Sequence, residues 1–170
     1  VGRAKYMAHP LTPASSTANG SADGIPLWQT ETSGFQSNWG GAFQYASVIY
    51  NSLQHGNCSA WTFWTFDDGD ATGRYGFVGQ GRVKPIYYAS KHYSKYILPG
   101  ARRVPVNLPT TTGVFMTAFQ NPDATVAMVM INANTTYSLV SLSGTNLPSG
   151  YRVFRSYEGE YYNELSTIAS

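Results

Sequence analysis

The run Ile25-Pro26-Leu27-Trp28-Gln29-Thr30-Glu31 carries a mainly apolar stretch up to a carboxylate, and Thr32, Ser33 and Gly34 follow at once. Read as a strand, its two-residue alternation places Ile25, Leu27, Gln29 and Glu31 on one face. Glu31 then closes the strand at its C-terminal edge. A carboxylate there is costly to bury unless it is hydrogen-bonded or put to chemical use. The position therefore reads either as a catalytic carboxylate or as a cap on the following turn.

A second constellation is Ser59-Ala-Trp-Thr-Phe-Trp-Thr-Phe-Asp-Asp-Gly69. Trp61 and Trp64 have opposite parity along a strand, so only one of them can face a cleft. An indole at a strand end offers a broad apolar face to the C–H side of a pyranose; the alternative is that both are core aromatics. Asp68, Asp70, Thr72 and Gly73 echo a calcium loop, but its twelfth position falls on Gly79 and a strand precedes it, which argues against calcium. His9, His55 and His92 show no metal-ligand spacing, and the chain lacks HExxH, GxSxG and Walker sequences. Neither a metal nor an organic cofactor is expected.

The elements that must position these residues change character near residue 100. Residues 3–8 read as the end of a strand, followed by a Ser/Thr/Pro/Gly-rich loop to about Gly24. A helix is expected from Gly41, burying Ala42, Tyr45, Ala46, Ile49 and Leu53, with Gly56 as its left-handed C-terminal residue. Residues 58–66 read as a strand. A glycine-rich loop from Gly69 to Gly81 leads to a helix over 85–97 that starts at Pro85, buries Ile86, Ala89, Tyr93 and Ile97, and is stopped by Pro99-Gly100. Strand, helix, strand, helix is the order of βαβ units and parallel sheets. In a (β/α)8 barrel the loops after the strands form the active-site face. Beyond Gly100 the period drops to two. Short strands are expected in "ARRVPVNL", "GVFMTAF", "ATVAMVMINA", "YSLVSLSG" and "YRVFRSYEG", forming an antiparallel sandwich too small for an independent core.

Composition narrows the classes. Of 170 residues, 12% are charged and 15% aromatic, with 13 Tyr and 4 Trp, a balance unlike disorder. A net charge of +2 without a basic cluster beyond Arg102-Arg103 gives no nucleic-acid surface. No apolar run reaches membrane-spanning length, and the single Cys58 excludes a disulfide framework. Such a chain suits either a sugar-binding surface or a well-packed extracellular β protein.

Three blocks in order, "PLWQTETSG", "SAWTFWTF" and "KPIYYASKHYSKYILPGARRV", resemble the C-terminal half of a family 30 glycoside hydrolase. The resemblance covers nearly the whole chain. It implies the C-terminal portion of a (β/α)8 TIM barrel over residues 1–99, comprising strands 6–8 and the last helices, and an incomplete antiparallel β-sandwich side domain over 100–170. In that family the W-x-T-E glutamate is the nucleophile, which maps onto Glu31. The second Trp of the next strand lines the sugar site, which maps onto Trp64. His9 matches the end of the sixth strand, although the family's tyrosine two residues later is replaced by Leu11, and Trp39 is expected beside the cleft.

What the resemblance implies is a secreted, retaining endo-β-glycanase with a polysaccharide substrate, xylan first among the candidates. Its acid/base would lie upstream, so the chain is expected to be an inactive fragment that needs the missing N-terminal half of the barrel. Neither nucleic acid nor membrane is an expected partner. The alternative is a non-catalytic carbohydrate-binding or structural β-domain fragment.

Overall fold

The computed structural model describes residues 26–108 and 113–169. The expected strand at 3–8, the loop to Gly24 and His9 lie outside the described residues. The chain forms two compact units, which divide between Ser90 and Lys91.

In the first unit, β1 (Leu27–Gln29) leads through α1 (Trp39–Gln54) to β2 (Cys58–Trp61), and β1 and β2 pair in parallel with Leu27 opposite Cys58 and Gln29 opposite Trp61. Parallel neighbours need a crossover, and α1 supplies it. The helix begins two residues earlier than expected, because Asn38 caps it by accepting the Gly41 amide at 3.0 Å, a bond worth about 1 kcal/mol. Gly41, where the helix was expected to start, is needed inside it, because the Gln36 carbonyl leaves no room there for a Cβ. The buried face consists of Gly41, Ala42, Tyr45, Val48, Ile49 and Tyr50, while Ala46 and Leu53 are only half-buried. At the C-terminal end it is Asn57, rather than Gly56, that takes a positive φ of 50°.

Tyr45 is the hub of this unit. Its ring is 1% exposed and meets Phe35, Trp61, Phe63 and Phe77 edge-on at 5.3, 6.2, 5.3 and 6.0 Å between centroids. Phe63 and Phe77 stack on each other at 4.3 Å. Burial pushes the Tyr45 hydroxyl up to about 12.

Residues 62–84 form an organised loop. It contains a hairpin that was not expected, β3 (Val78–Gly79) with β4 (Arg82–Val83), joined by Gln80 and Gly81 at positive φ. Within the loop the Lys84 ammonium bonds both Asp68 oxygens at 2.7 and 2.9 Å and the Gly73 carbonyl at 2.9 Å. Asp68 also accepts the amides of Asp70, Tyr75 and Gly76. The two side chains are 2% and 9% exposed. Breaking such a pair from one side costs about 3–5 kcal/mol, since a buried charge is left behind. Burial alone would raise the Asp68 pKa, but the bonds from Lys84 and the three amides outweigh it and hold the group at about 2.

The next helix, α2 (Pro85–Ser94), starts at the expected proline and buries Ile86, Ala89 and Tyr93. It ends short of residue 97. Its exit belongs to Asn121, a buried amide that accepts the Leu98 amide at 3.0 Å and donates to the Tyr96 carbonyl at 2.9 Å. Among the described residues no helix is long and apolar enough to cross a membrane.

The second unit is antiparallel. β5 (Arg102–Val104), β6 (Val114–Gln120) and β7 (Val126–Asn132) make a three-stranded sheet in that order. Thr117, Phe119, Ala127, Val129 and Ile131 form one buried face through the pairs Thr117–Val129 and Phe119–Ala127. β8 (Gly150–Tyr151) pairs with β11 (Ile168–Ala169), and β9 (Phe154–Tyr157) with β10 (Glu160–Glu164). The strand expected at 137–144 is absent, and Tyr137 and Leu139 are almost fully exposed. The Asn132 side chain instead binds the Asn134 amide and the Thr136 carbonyl, and local bonds of this kind compete with a ladder.

Below α2, Tyr96, Phe154 and Tyr162 stack at 5.2 and 4.9 Å. The Lys91 ammonium sits 4.2 Å from the centre of the Tyr162 ring. His92 Nε2 meets the Ser156 hydroxyl at 2.8 Å while that oxygen accepts the Tyr162 amide. Burial, then the nearby Lys91 charge, lowers the His92 pKa to about 4.

Two acid transitions follow. An unfolded histidine takes a proton near 6.5 whereas folded His92 waits until about 4, so stability falls as pH drops between these values. Asp68 contributes fully above its ordinary 3.8 and loses that contribution as pH falls through about 2. Melting curves recorded from pH 7 to 3 will show the first decline, and His92→Gln will flatten it. Asn121→Leu strands the Tyr96 carbonyl and the Leu98 amide; denaturant unfolding of this variant will show a loss of about 2–3 kcal/mol.

Candidate active site

The parallel pairing does not stop where the strands end. The Thr62 amide donates to the Gln29 carbonyl at 2.9 Å, and the Trp64 amide donates to the Thr32 carbonyl at 2.9 Å. Three residues therefore advance on the β1 side while two advance on the β2 side. The surplus residue makes a bulge, and Glu31 lies in it. Bulges re-aim side chains beside functional sites, and here the bulge breaks the alternation that would have kept Glu31 in line with Gln29.

Glu31 is exposed, and among the described residues its carboxylate receives no hydrogen bond. It is not folded back as a cap on the turn. Its backbone carbonyl accepts the Gln29 side-chain amide at 2.8 Å, which steadies the bulge. The next residue, Thr32, is 2% exposed.

The two tryptophans take different roles. Trp61 turns inward onto Tyr45. Trp64 is 60% exposed, and its backbone is bonded one residue beyond Glu31. The Trp64–Thr65 peptide is cis. Phe66 and Tyr75 are also largely exposed, and the Thr65 amide donates to the Tyr75 carbonyl. Glu31 and Trp64 are thus brought together at the C-terminal ends of neighbouring parallel strands. Trp39 stands at the first position of α1, half-buried.

The aspartates of the loop are structural. Asp68 is occupied by Lys84 and three amides, Asp67 accepts the Gly69 amide, and Asp70 accepts the amide and hydroxyl of Thr72. Among the described residues no group of three His, Cys, Asp or Glu is placed to hold a metal ion. Sequence reasoning passed over Lys84. A Cβ at Gly73 or Gly76 would strike Asp68, so the glycines of this loop make room for the contact.

Residues 100–154 match the model of the glycosyl hydrolase family 30 beta sandwich domain. A family 30 endoxylanase from Clostridium papyrosolvens C71 superposes with a TM-score of 0.75 at 21% identity, covering 86% of this chain and 37% of that one. A conserved exported protein from Bacteroides fragilis gives a TM-score of 0.70 at 16% identity over 87% of this chain and 36% of its own. A family 30 subfamily 8 xylanase from Clostridium acetobutylicum gives 0.58 at 24% identity over 66% and 28%. The chain spans about a third of the length of these structures. Its C-terminal portion, residues 100–154, is thus similar to the glycosyl hydrolase family 30 β-sandwich domain.

Proposed function

We propose that this chain is part of a retaining β-glycanase acting on xylan, with Glu31 as the nucleophile. The observation that carries the reading is the backbone bond from Trp64 to Thr32. It sets an exposed carboxylate and an exposed indole on adjacent strand ends, which is what cleavage of a stacked sugar requires. Glu31 attacks the anomeric carbon and forms a covalent glycosyl-enzyme, which water then hydrolyses. Trp64 supports the apolar face of the sugar at the cleavage point. Trp39 lines the same cleft.

Retaining hydrolysis uses a second carboxylate, about 5–5.5 Å from the first, to protonate the leaving oxygen. Asp68 is committed to Lys84, so the proposal puts the acid/base outside this chain, on the other half of a (β/α)8 barrel whose last strands are β1 and β2. On this reading β1, α1, β2 and α2 belong to that barrel. The chain alone is inactive on this reading. Because a polymer such as xylan does not enter cells, the same reading makes the enzyme extracellular. The endoxylanase likeness supports the substrate class.

In the full-length enzyme that contains this chain, Glu31→Gln will lower turnover by at least about a thousandfold while substrate binding persists, as expected for loss of a nucleophile. Initial rates on xylan with matched binding isotherms measure both. Turnover near the parent rate, or hydrolysis by the 170-residue chain unaided, would refute the assignment.

A further inference from the structure

We propose that the buried Asp68–Lys84 pair is a positioning device, which sets the Glu31 segment against the Trp64 segment. The inference rests on the reading of Glu31 as nucleophile, and deepens it. Lys84 fixes Asp68, and Asp68 Oδ2 accepts the Tyr75 and Gly76 amides at 3.1 and 2.8 Å. Those two amides hold a short piece of chain whose outward groups reach both sides of the site. The Arg74 carbonyl accepts the Gly34 amide at 3.0 Å, three residues beyond Glu31. The Tyr75 carbonyl accepts the Thr65 amide, next to Trp64, and the Thr65 carbonyl accepts the Phe77 amide at 3.1 Å.

Among the described residues the two segments are joined directly by the Thr62–Gln29 and Trp64–Thr32 backbone bonds, two rungs of one row. Two rungs in one row fix a separation but leave the segments able to hinge about that row. The path through residues 74–77 closes a second connection and removes that freedom. Its anchor is an ion pair with 2% and 9% of its side chains exposed, so solvent does not weaken it as it would a surface pair. A nucleophile displaced by about 1 Å loses on the order of a hundredfold in rate. Lys84 and Asp68 touch no substrate; they act through the backbone.

The test has two arms. In the first, amide hydrogen exchange at the residues of this chain is followed in the full-length enzyme, comparing the parent with Lys84→Met and with the milder Asp68→Asn. Gly34 and Thr65 will exchange at least about tenfold faster in both variants while the α1 amides keep their parent rates. Acceleration confined to Tyr75 and Gly76, or spread equally through α1, would overturn the proposal. In the second, kcat and KM are measured on the full-length enzyme and normalised to folded protein. The expectation is a fall in kcat of about 10- to 100-fold with KM within about threefold, whereas a merely structural role leaves kcat per folded molecule unchanged. Glu31→Gln is run alongside. If that variant keeps its turnover the nucleophile reading fails, and the exchange arm still decides the positioning role alone.

Discussion

Two strands can lie side by side and parallel only when the chain between them returns along the whole length of the pair. In the first unit that return is α1, and everything of chemical interest depends on it. Asn38 starts the helix and Asn57 turns out of it, so β2 enters beside β1 in the same direction. Both strands then end at one edge. Had the pair been antiparallel, the Glu31 and Trp64 segments would have left from opposite ends.

What holds α1 within that unit is aromatic area. Tyr45 projects from α1 and touches rings from the segment after β1, from β2 and from the loop beyond it. Edge-on contacts of this kind are worth about 0.5–1.5 kcal/mol each beyond their area, and they are directional, so they fix the helix azimuth as well as its distance. The second unit uses a different means, with Asn121 making its bonds to two separate stretches of chain. A buried amide that is fully bonded specifies one arrangement, because any other leaves donors or acceptors unmet.

Local patterns in the sequence were readable and non-local ones were not. The alternation in β6 and β7 and the apolar face of α1 follow from neighbours along the chain, and they emerged close to where they were expected. That strands end shortly before Glu31 and Trp64 follows from the same local signals, whereas the pairing of those strands was suggested only by the resemblance over three ordered blocks. The bulge at Glu31 was not legible, since parity along one strand carries no information about the register of its partner. Nor was the Asp68–Lys84 contact, which spans sixteen residues and depends on how a glycine-rich loop coils. Residues 137–144 read as a strand but form none, and the Asn132 side chain bonds the stretch of chain just before them. The division at Ser90, inside a helix, has no compositional mark at all.

The closed circuit around Asp68 also limits how this loop can diverge. Losing either the anion or the cation alone leaves its opposite charge stranded away from water, so neither site can drift by itself. Among descendants of this sequence, positions 68 and 84 should change as a couple, through a rare joint replacement by uncharged residues, while the exposed positions of the same loop vary freely around them.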